Sequence, residues 1–244
     1  MDLGLTDKVF VVTGASRGLG RASAEALLAE GARVVISARS ADAVAATAEA
    51  IGCLGVAADL ADPATPARLV DAALSSYGRL DGALISVGGP PGGPALTLTD
   101  EQWRDAFDSV FLGTVRLSRA VVDALPAEGG ALAFVLSTSV KAPIAGLAAS
   151  NGLRPGLAML AKTMADELGP RGIRVNGLMP GKVLTDRIRE LFGDDLEKAV
   201  GDVPLGRFGD PAEFGRMAAF LMSPAASYVT GAMVPVDGGA MRAL

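Results

Sequence analysis

Short apolar runs alternate with longer stretches in which apolar residues recur every three or four positions, and this alternation continues along the whole chain. KVFVVTG (8–14) is predicted as a buried strand and 18–30 as a helix, with Leu19, Ala22, Ala26 and Leu27 at helical spacing. The same pairing follows with strand 32–38 and helix 41–51, then strand 54–60 and helix 63–77. A fourth strand, 82–89, runs into the loop GGPPGGP. Thr99, with Gln102 three residues on, is a capping box for a long helix over 100–125. Strand 130–139 precedes a helix whose apolar face is Leu153, Leu157, Leu160, Met164 and Leu168. Strand 173–181, helices 184–201 and 210–222, and a last strand 232–239 complete the series.

Apolar strands interleaved with helices imply a parallel sheet covered on both faces, hence one doubly wound α/β domain over 1–244. No internal repeat or linker interrupts it. Sheets of this kind bind ligands beyond the carboxyl ends of their strands. Composition narrows the choice of ligand. The formal net charge is -5 and the pI about 4.9, which argues against nucleic acid or an anionic membrane surface as a partner. Histidine is absent, so no metal site, triad or proton shuttle can depend on imidazole. The single cysteine, Cys53, excludes an internal disulfide and suits a reducing cytoplasm. No basic leader followed by an apolar stretch opens the chain, and no uncharged apolar run is long enough to span a bilayer.

TGASRGLG (13–20) joins the first strand to the first helix. Gly14 permits a tight turn, Gly18 lets a pyrophosphate approach the backbone, and Gly20 allows helix and strand to pack closely. The helix start behind them presents unpaired N–H groups and the positive end of its dipole. An NAD site usually ends the second strand with a carboxylate for the ribose hydroxyls. Here the strand ends ISARS (36–40), with Ala38 and Arg39. Arg39 and Arg17 suit a 2′-phosphate through forked, charge-assisted bonds, so NADP(H) is expected over NAD(H); the alternative is that both are ordinary surface charges. Asp59 is either an acceptor for the adenine amino group or a local loop cap.

With these pieces in place, the chain resembles the short-chain dehydrogenase/reductase family over nearly its full length. The resemblance rests on TGASRGLG, DL (59–60), LSTS (136–139), RVNGLMPG (174–181) followed by Thr185, RFGDPAEF (207–214) and SYVTGAMVPVDGG (227–239). The general likeness is to 3-oxoacyl carrier-protein reductases. It implies a Rossmann-type domain with a seven-stranded sheet, a homotetramer or homodimer, and hydride passed between NADP(H) and a small carbonyl or alcohol. By position it places Gly14, Ser16, Arg17, Gly18, Leu19, Arg39, Asp59, Leu60, Gly88, Pro180, Gly181, Val183 and Thr185 around the cofactor. The segment 184–204 is expected to cover the substrate.

The resemblance breaks at the reaction centre. The family combines Asn, Ser and a Tyr-x-x-x-Lys pair. Matching PG (155–156) to the residues after that pair puts Ser150 in the tyrosine place and Arg154 in the lysine place. Ser137, thirteen residues before Ser150, keeps the serine, while the helix asparagine becomes Val110. Tyrosine, with a reference pKa near 10, is a usable acid when a neighbouring ammonium lowers it; an alkyl hydroxyl is much weaker. Arginine holds its proton too firmly to shuttle it but offers fixed charge and several donors. Lys141, four residues after Ser137, is a candidate acid or substrate anchor, or a solvated loop lysine. Ser150 is also a plausible helix cap, with Pro155 acceptable near a helix start, and Arg154 a plausible structural ion pair. Three functions stay open: a carbonyl reductase or alcohol dehydrogenase with an unusual proton donor, a non-redox lyase, dehydratase or isomerase, and a silent dinucleotide-binding protein. No metal site is expected.

Overall fold

A computed structural model describes residues 2–192 and 199–242. It contains a parallel seven-stranded sheet in the order β3-β2-β1-β4-β5-β6-β7. The strands are β1 Val9–Thr13, β2 Arg33–Ala38, β3 Leu54–Ala57, β4 Gly82–Ile85, β5 Gly130–Val135, β6 Ile173–Pro180 and β7 Met233–Val236. The helices are α1 Gly18–Ala29, α2 Ala41–Ile51, α3 Thr65–Tyr77, α4 Asp100–Ala106, α5 Gly113–Ala124, α6 Ala148–Leu168, α7 Asp186–Phe192 and α8 Pro211–Met222.

Side chains alternate across a strand, so consecutive residues of β1 feed opposite faces. Val9 and Val11 join Leu69, Leu117, Leu157 and Ala161 in a core against α3, α5 and α6. Phe10 and Val12 join Leu27, Val44, Phe214 and Ala218 in a second core against α1, α2 and α8. Two apolar faces explain why the strands read as unbroken apolar runs. Strand order reverses between β1 and β4, which opens a crevice at their carboxyl ends.

Several elements are shorter than their patterns predict. β3 stops at Ala57, although the Ala58 N–H still donates to the Ala38 carbonyl of β2 at 2.9 Å, and β4 stops at Ile85. β5 stops at Val135, and its remainder forms a 3₁₀ turn, Thr138–Val140. The helix predicted over 100–125 is divided by a π-helical segment, Phe107–Leu112, in which the Gly113 N–H reaches back to the Asp108 carbonyl. The capping box on α4 is present, with Thr99 and Gln102 bonded reciprocally. Of the helix predicted over 184–201, and of the covering segment 184–204, positions 193–198 lie outside the described residues. Among the described residues, no helix is long and apolar enough to cross a membrane.

Candidate active site

The glycine loop opens into the crevice from β1. Gly14 has φ +59°, and a Cβ built on it would lie 2.6 Å from the Ser86 carbonyl, so only glycine fits. Thr13 and Ser86 lock this approach reciprocally: Thr13 Oγ1 donates to the Ser86 carbonyl at 2.8 Å and accepts from the Ser86 N–H at 3.0 Å. A Cβ on Gly20 would lie 2.4 Å from the Gly14 carbonyl, which confirms its packing role. Gly18 differs. At φ +60° an added Cβ would meet nothing nearer than the Thr185 methyl at 3.6 Å, so its bare backbone faces open space. Behind it, Arg17 enters α1 in an extended conformation without a side-chain cap, and the first turn carries no acidic residue. An uncapped, acid-free helix start beside a glycine at positive φ fits a pyrophosphate.

A cleft of about 650 Å³ continues from this loop to the ends of β4, β5 and β6. Of the expected residues, Gly14, Arg17, Gly18, Leu19, Gly88, Pro180, Gly181, Val183 and Thr185 line it, together with Ser137, Ser150 and Arg154. Ser16, Arg39, Asp59, Leu60 and Lys141 fall outside this lining. Ser16 turns its carbonyl to the Thr47 hydroxyl, tying the loop to α2. Arg39 is exposed just past β2, whose Ser37 carbonyl accepts from the Ala15 N–H of the glycine loop at 3.0 Å. Asp59 acts as the loop cap, its Oδ1 accepting from the Ala61 N–H at 3.0 Å. Leu60 is half-buried, with its carbonyl pressed against Gly113. Lys141 is exposed because the 3₁₀ turn, closed by its own N–H to the Thr138 carbonyl, carries the chain out to the surface.

Ser137 sits just past β5 in an extended conformation. Its Oγ accepts from the Ser139 N–H at 3.1 Å, which occupies a lone pair and leaves the hydroxyl proton available to the cleft. Ser150 does not cap α6. The helix starts at Ala148, Leu147 is its N-cap, and Ser150 lies inside the first turn, 5% exposed. Its hydroxyl is 3.2 Å from that of Ser139. The capping expectation fails because the chain before α6 is held elsewhere. Asn151 brackets Ile144 through both side-chain amide atoms, and the Ala148 N–H donates to the Gly93 carbonyl. Pro155 therefore lies inside the helix, not at its start.

Arg154 is 7% exposed, and its Nη1 donates to the carbonyls of Val135 at 2.6 Å and Leu136 at 2.9 Å. The reason lies in β6. The Leu136 N–H donates to the Leu178 carbonyl, and a parallel ladder would return a bond to Leu136 from position 180. Position 180 is proline and has no N–H. The guanidinium supplies the missing donor and brings positive charge to the floor of the cleft. Val110, at the family's asparagine position, is buried in the core and offers the site no polar group. Neither tyrosine reaches it: Tyr77 lies against Arg33, and Tyr228 is fully exposed. The described lining contains no tyrosine or cysteine; Ser137, Thr138 and Ser150 bring hydroxyls to it, and Lys182 an ammonium.

Sequence reasoning missed Ser86, Ser139 and Lys182. Ser86 follows the last residue of β4, and nothing in its type announces the Thr13 lock. Lys182 follows the glycine after β6 and lines the cleft, bonded to Asp202 and to the Ala199 carbonyl. That pairing holds Asp202 below the usual carboxylate range.

Residues 14–241 match the family model described as enoyl-(acyl carrier protein) reductase. The chain is 33% identical over 235 residues to the 3-oxoacyl-[acyl-carrier-protein] reductase of Escherichia coli, covering 95% of this chain and 96% of that protein. The L-sorbose reductase of Gluconobacter frateurii, solved with NADPH and L-sorbose, superimposes with a TM-score of 0.94 at 32% identity over 100% of both chains. An NADPH-bound short-chain oxidoreductase of Pseudomonas aeruginosa, described as containing an atypical catalytic center, gives a TM-score of 0.91 at 30% identity over 99% of both chains.

Proposed function

The chain belongs to the short-chain dehydrogenase/reductase family as an NAD(P)-dependent oxidoreductase, and we propose that it is an NADPH-dependent reductase of small carbonyl compounds that works without the family's tyrosine and lysine. The oxidoreductase relatives favour a redox enzyme over a non-redox enzyme or a silent binding protein. The observation that carries the finer claim is Ser137: its acceptor side is occupied by the Ser139 N–H, and its proton is left for an oxygen in the cleft.

Bound at the glycine loop, the coenzyme would supply a hydride to the carbonyl carbon. Ser137 donates a hydrogen bond to the carbonyl oxygen as charge develops there. Arg154, held by the two carbonyls at the end of β5, contributes fixed positive charge in a largely dehydrated setting. Ser150 Oγ passes its proton to the oxygen and recovers one from water in the cleft. An alkyl hydroxyl is a weak acid, so this route is slower than one through tyrosine. Pro90, Ile144, Leu147 and Met241 in the lining favour a substrate with an apolar body. In our reading the chain acts as a homodimer or homotetramer in the cytoplasm.

The preference for NADPH is supported by the lack of a carboxylate at the end of β2 and by Arg39, two residues beyond the bond that ties β2 to the glycine loop. Two of the solved neighbours were found with NADPH. Isothermal titration tests it. NADPH should bind at least about tenfold more tightly than NADH, and Arg39→Ala should remove most of that difference. Equal affinities would refute the preference, and no effect of Arg39→Ala would refute its assignment to Arg39. NADPH oxidation with a panel of ketones and 3-oxoacyl thioesters tests the reaction. If wild-type protein is inert with every carbonyl while Ser150→Tyr with Arg154→Lys is active, the native site is not a working reductase.

A further inference from the structure

Three serine hydroxyls meet at the end of β5, and only two of them face the cleft. Ser137 and Ser150 line it; Ser139 does not, and is 3% exposed. Ser139 nevertheless touches both others. Its N–H donates to Ser137 Oγ at 3.1 Å, and its Oγ lies 3.2 Å from Ser150 Oγ.

The direction of the Ser139–Ser150 bond follows from burial. A buried hydroxyl must place its proton on an acceptor, because an unmet buried donor is costly. Among the described residues, Ser150 Oγ is the partner within reach of Ser139 Oγ. Ser150 has an alternative that Ser139 lacks, since its hydroxyl opens on the cleft. Ser139 therefore donates, Ser150 accepts, and the Ser150 proton turns outward.

We propose that Ser139 is a positioning residue that makes donors of both cleft hydroxyls, Ser137 through its backbone N–H and Ser150 through its side chain. The inference rests on the reductase reading given above and deepens it. A hydroxyl that accepts one hydrogen bond is polarised to donate the next, so the arrangement also strengthens both donors. It offers a partial substitute for the tyrosine: two aimed weak acids in place of one stronger acid.

The test is a double-mutant cycle with a readout that a merely structural residue would not move. Ser139→Ala removes the hydroxyl but keeps the N–H to Ser137. In NADPH oxidation with the best carbonyl of the panel, it should lower kcat about tenfold, leave KM within about twofold and raise the solvent deuterium isotope effect on kcat. In a Ser150→Ala background it should add nothing. Ser139→Cys, a weaker donor of similar size, should fall between and serves if Ser139→Ala folds poorly. An unchanged kcat in Ser139→Ala, or the same loss in the Ser150→Ala background, overturns the proposal. A crystal structure of Ser139→Ala separates the two readings. If wild-type protein oxidises no NADPH with any carbonyl, the reductase reading itself falls. The positioning role is then judged on the crystal alone: a rotated Ser150 hydroxyl supports it and an unmoved one overturns it.

Discussion

Single residues in the glycine loop separate the work of folding from the work of binding. Gly14 and Gly18 both have positive φ, yet an added Cβ collides at the first and finds space at the second. Gly14→Ala should therefore damage the fold itself, because the Ser86 carbonyl cannot withdraw while Thr13 holds it. Gly18→Ala should cost only about 1–2 kcal/mol from the left-handed backbone, leave a cooperative melt, and weaken NADPH more than about tenfold by filling the space beside the helix start. Calorimetry with and without nucleotide distinguishes them; a Gly18→Ala protein with native affinity would mean that no phosphate approaches this loop. Outside the loop, Arg154 of α6 also serves the fold. Arg154→Met keeps the volume but strands the Val135 and Leu136 carbonyls, so urea unfolding should show a loss of roughly 2–4 kcal/mol.

Elements show what the sequence could and could not convey. Strand and helix order, the two-faced sheet and the glycine loop were legible because each depends on local periodicity or on glycine geometry. The π-helical segment was not, since Phe107–Leu112 carries an ordinary helical pattern and its altered bonding is a tertiary effect. Ser137, Ser150 and Arg154 were found by spacing within a motif, but the guanidinium's attachment to β5 depends on a proline in a strand not adjacent in sequence. Ser139 lay in the recognised LSTS stretch, but nothing there marked its contact with Ser150, because a serine in a loop has many bland uses. At the opposite end of the sheet, Asp81 before β4 is buried and ties its own segment to the start of β1. It accepts from Arg79 at 2.6 and 2.8 Å, from the Val9 N–H at 2.9 Å and from Lys8 at 3.2 Å. Burial alone would raise its pKa, but these donors outweigh burial and hold it below the usual carboxylate range. A carboxylate lowered on folding stabilises fully above its unfolded pKa, about 3.9, and loses that contribution as pH falls through the folded value. Asp81→Asn should thus unfold at lower urea than wild type at neutral pH, by about 2–3 kcal/mol. The gap should narrow below about pH 4. A gap independent of pH would remove the ionised carboxylate from the account.

At the scale of the molecule, large apolar side chains reach the surface on the π-helical segment and on α6. Phe107 and Phe111 stack with ring centroids 5.3 Å apart, and Gly156 of α6 lies under the Phe111 ring. Phe107 is 41% exposed, and Met159, one helical turn beyond Gly156, is 69% exposed. Large apolar side chains that reach water together mark an interaction face when they form one patch. The cleft lies on the other side of the same helix, where Ser150 and Arg154 leave α6. A second copy of the chain seated on this face would stiffen the helix that positions both residues. Met159→Glu places a charge there without touching either core. If this face joins copies of the chain, light scattering of Met159→Glu should show smaller particles than wild type. NADPH affinity should stay within about threefold, since the glycine loop is remote. An unchanged particle mass would move the assembly surface elsewhere, and a lost affinity at unchanged mass would show that α6 transmits the substitution to the cleft within one subunit.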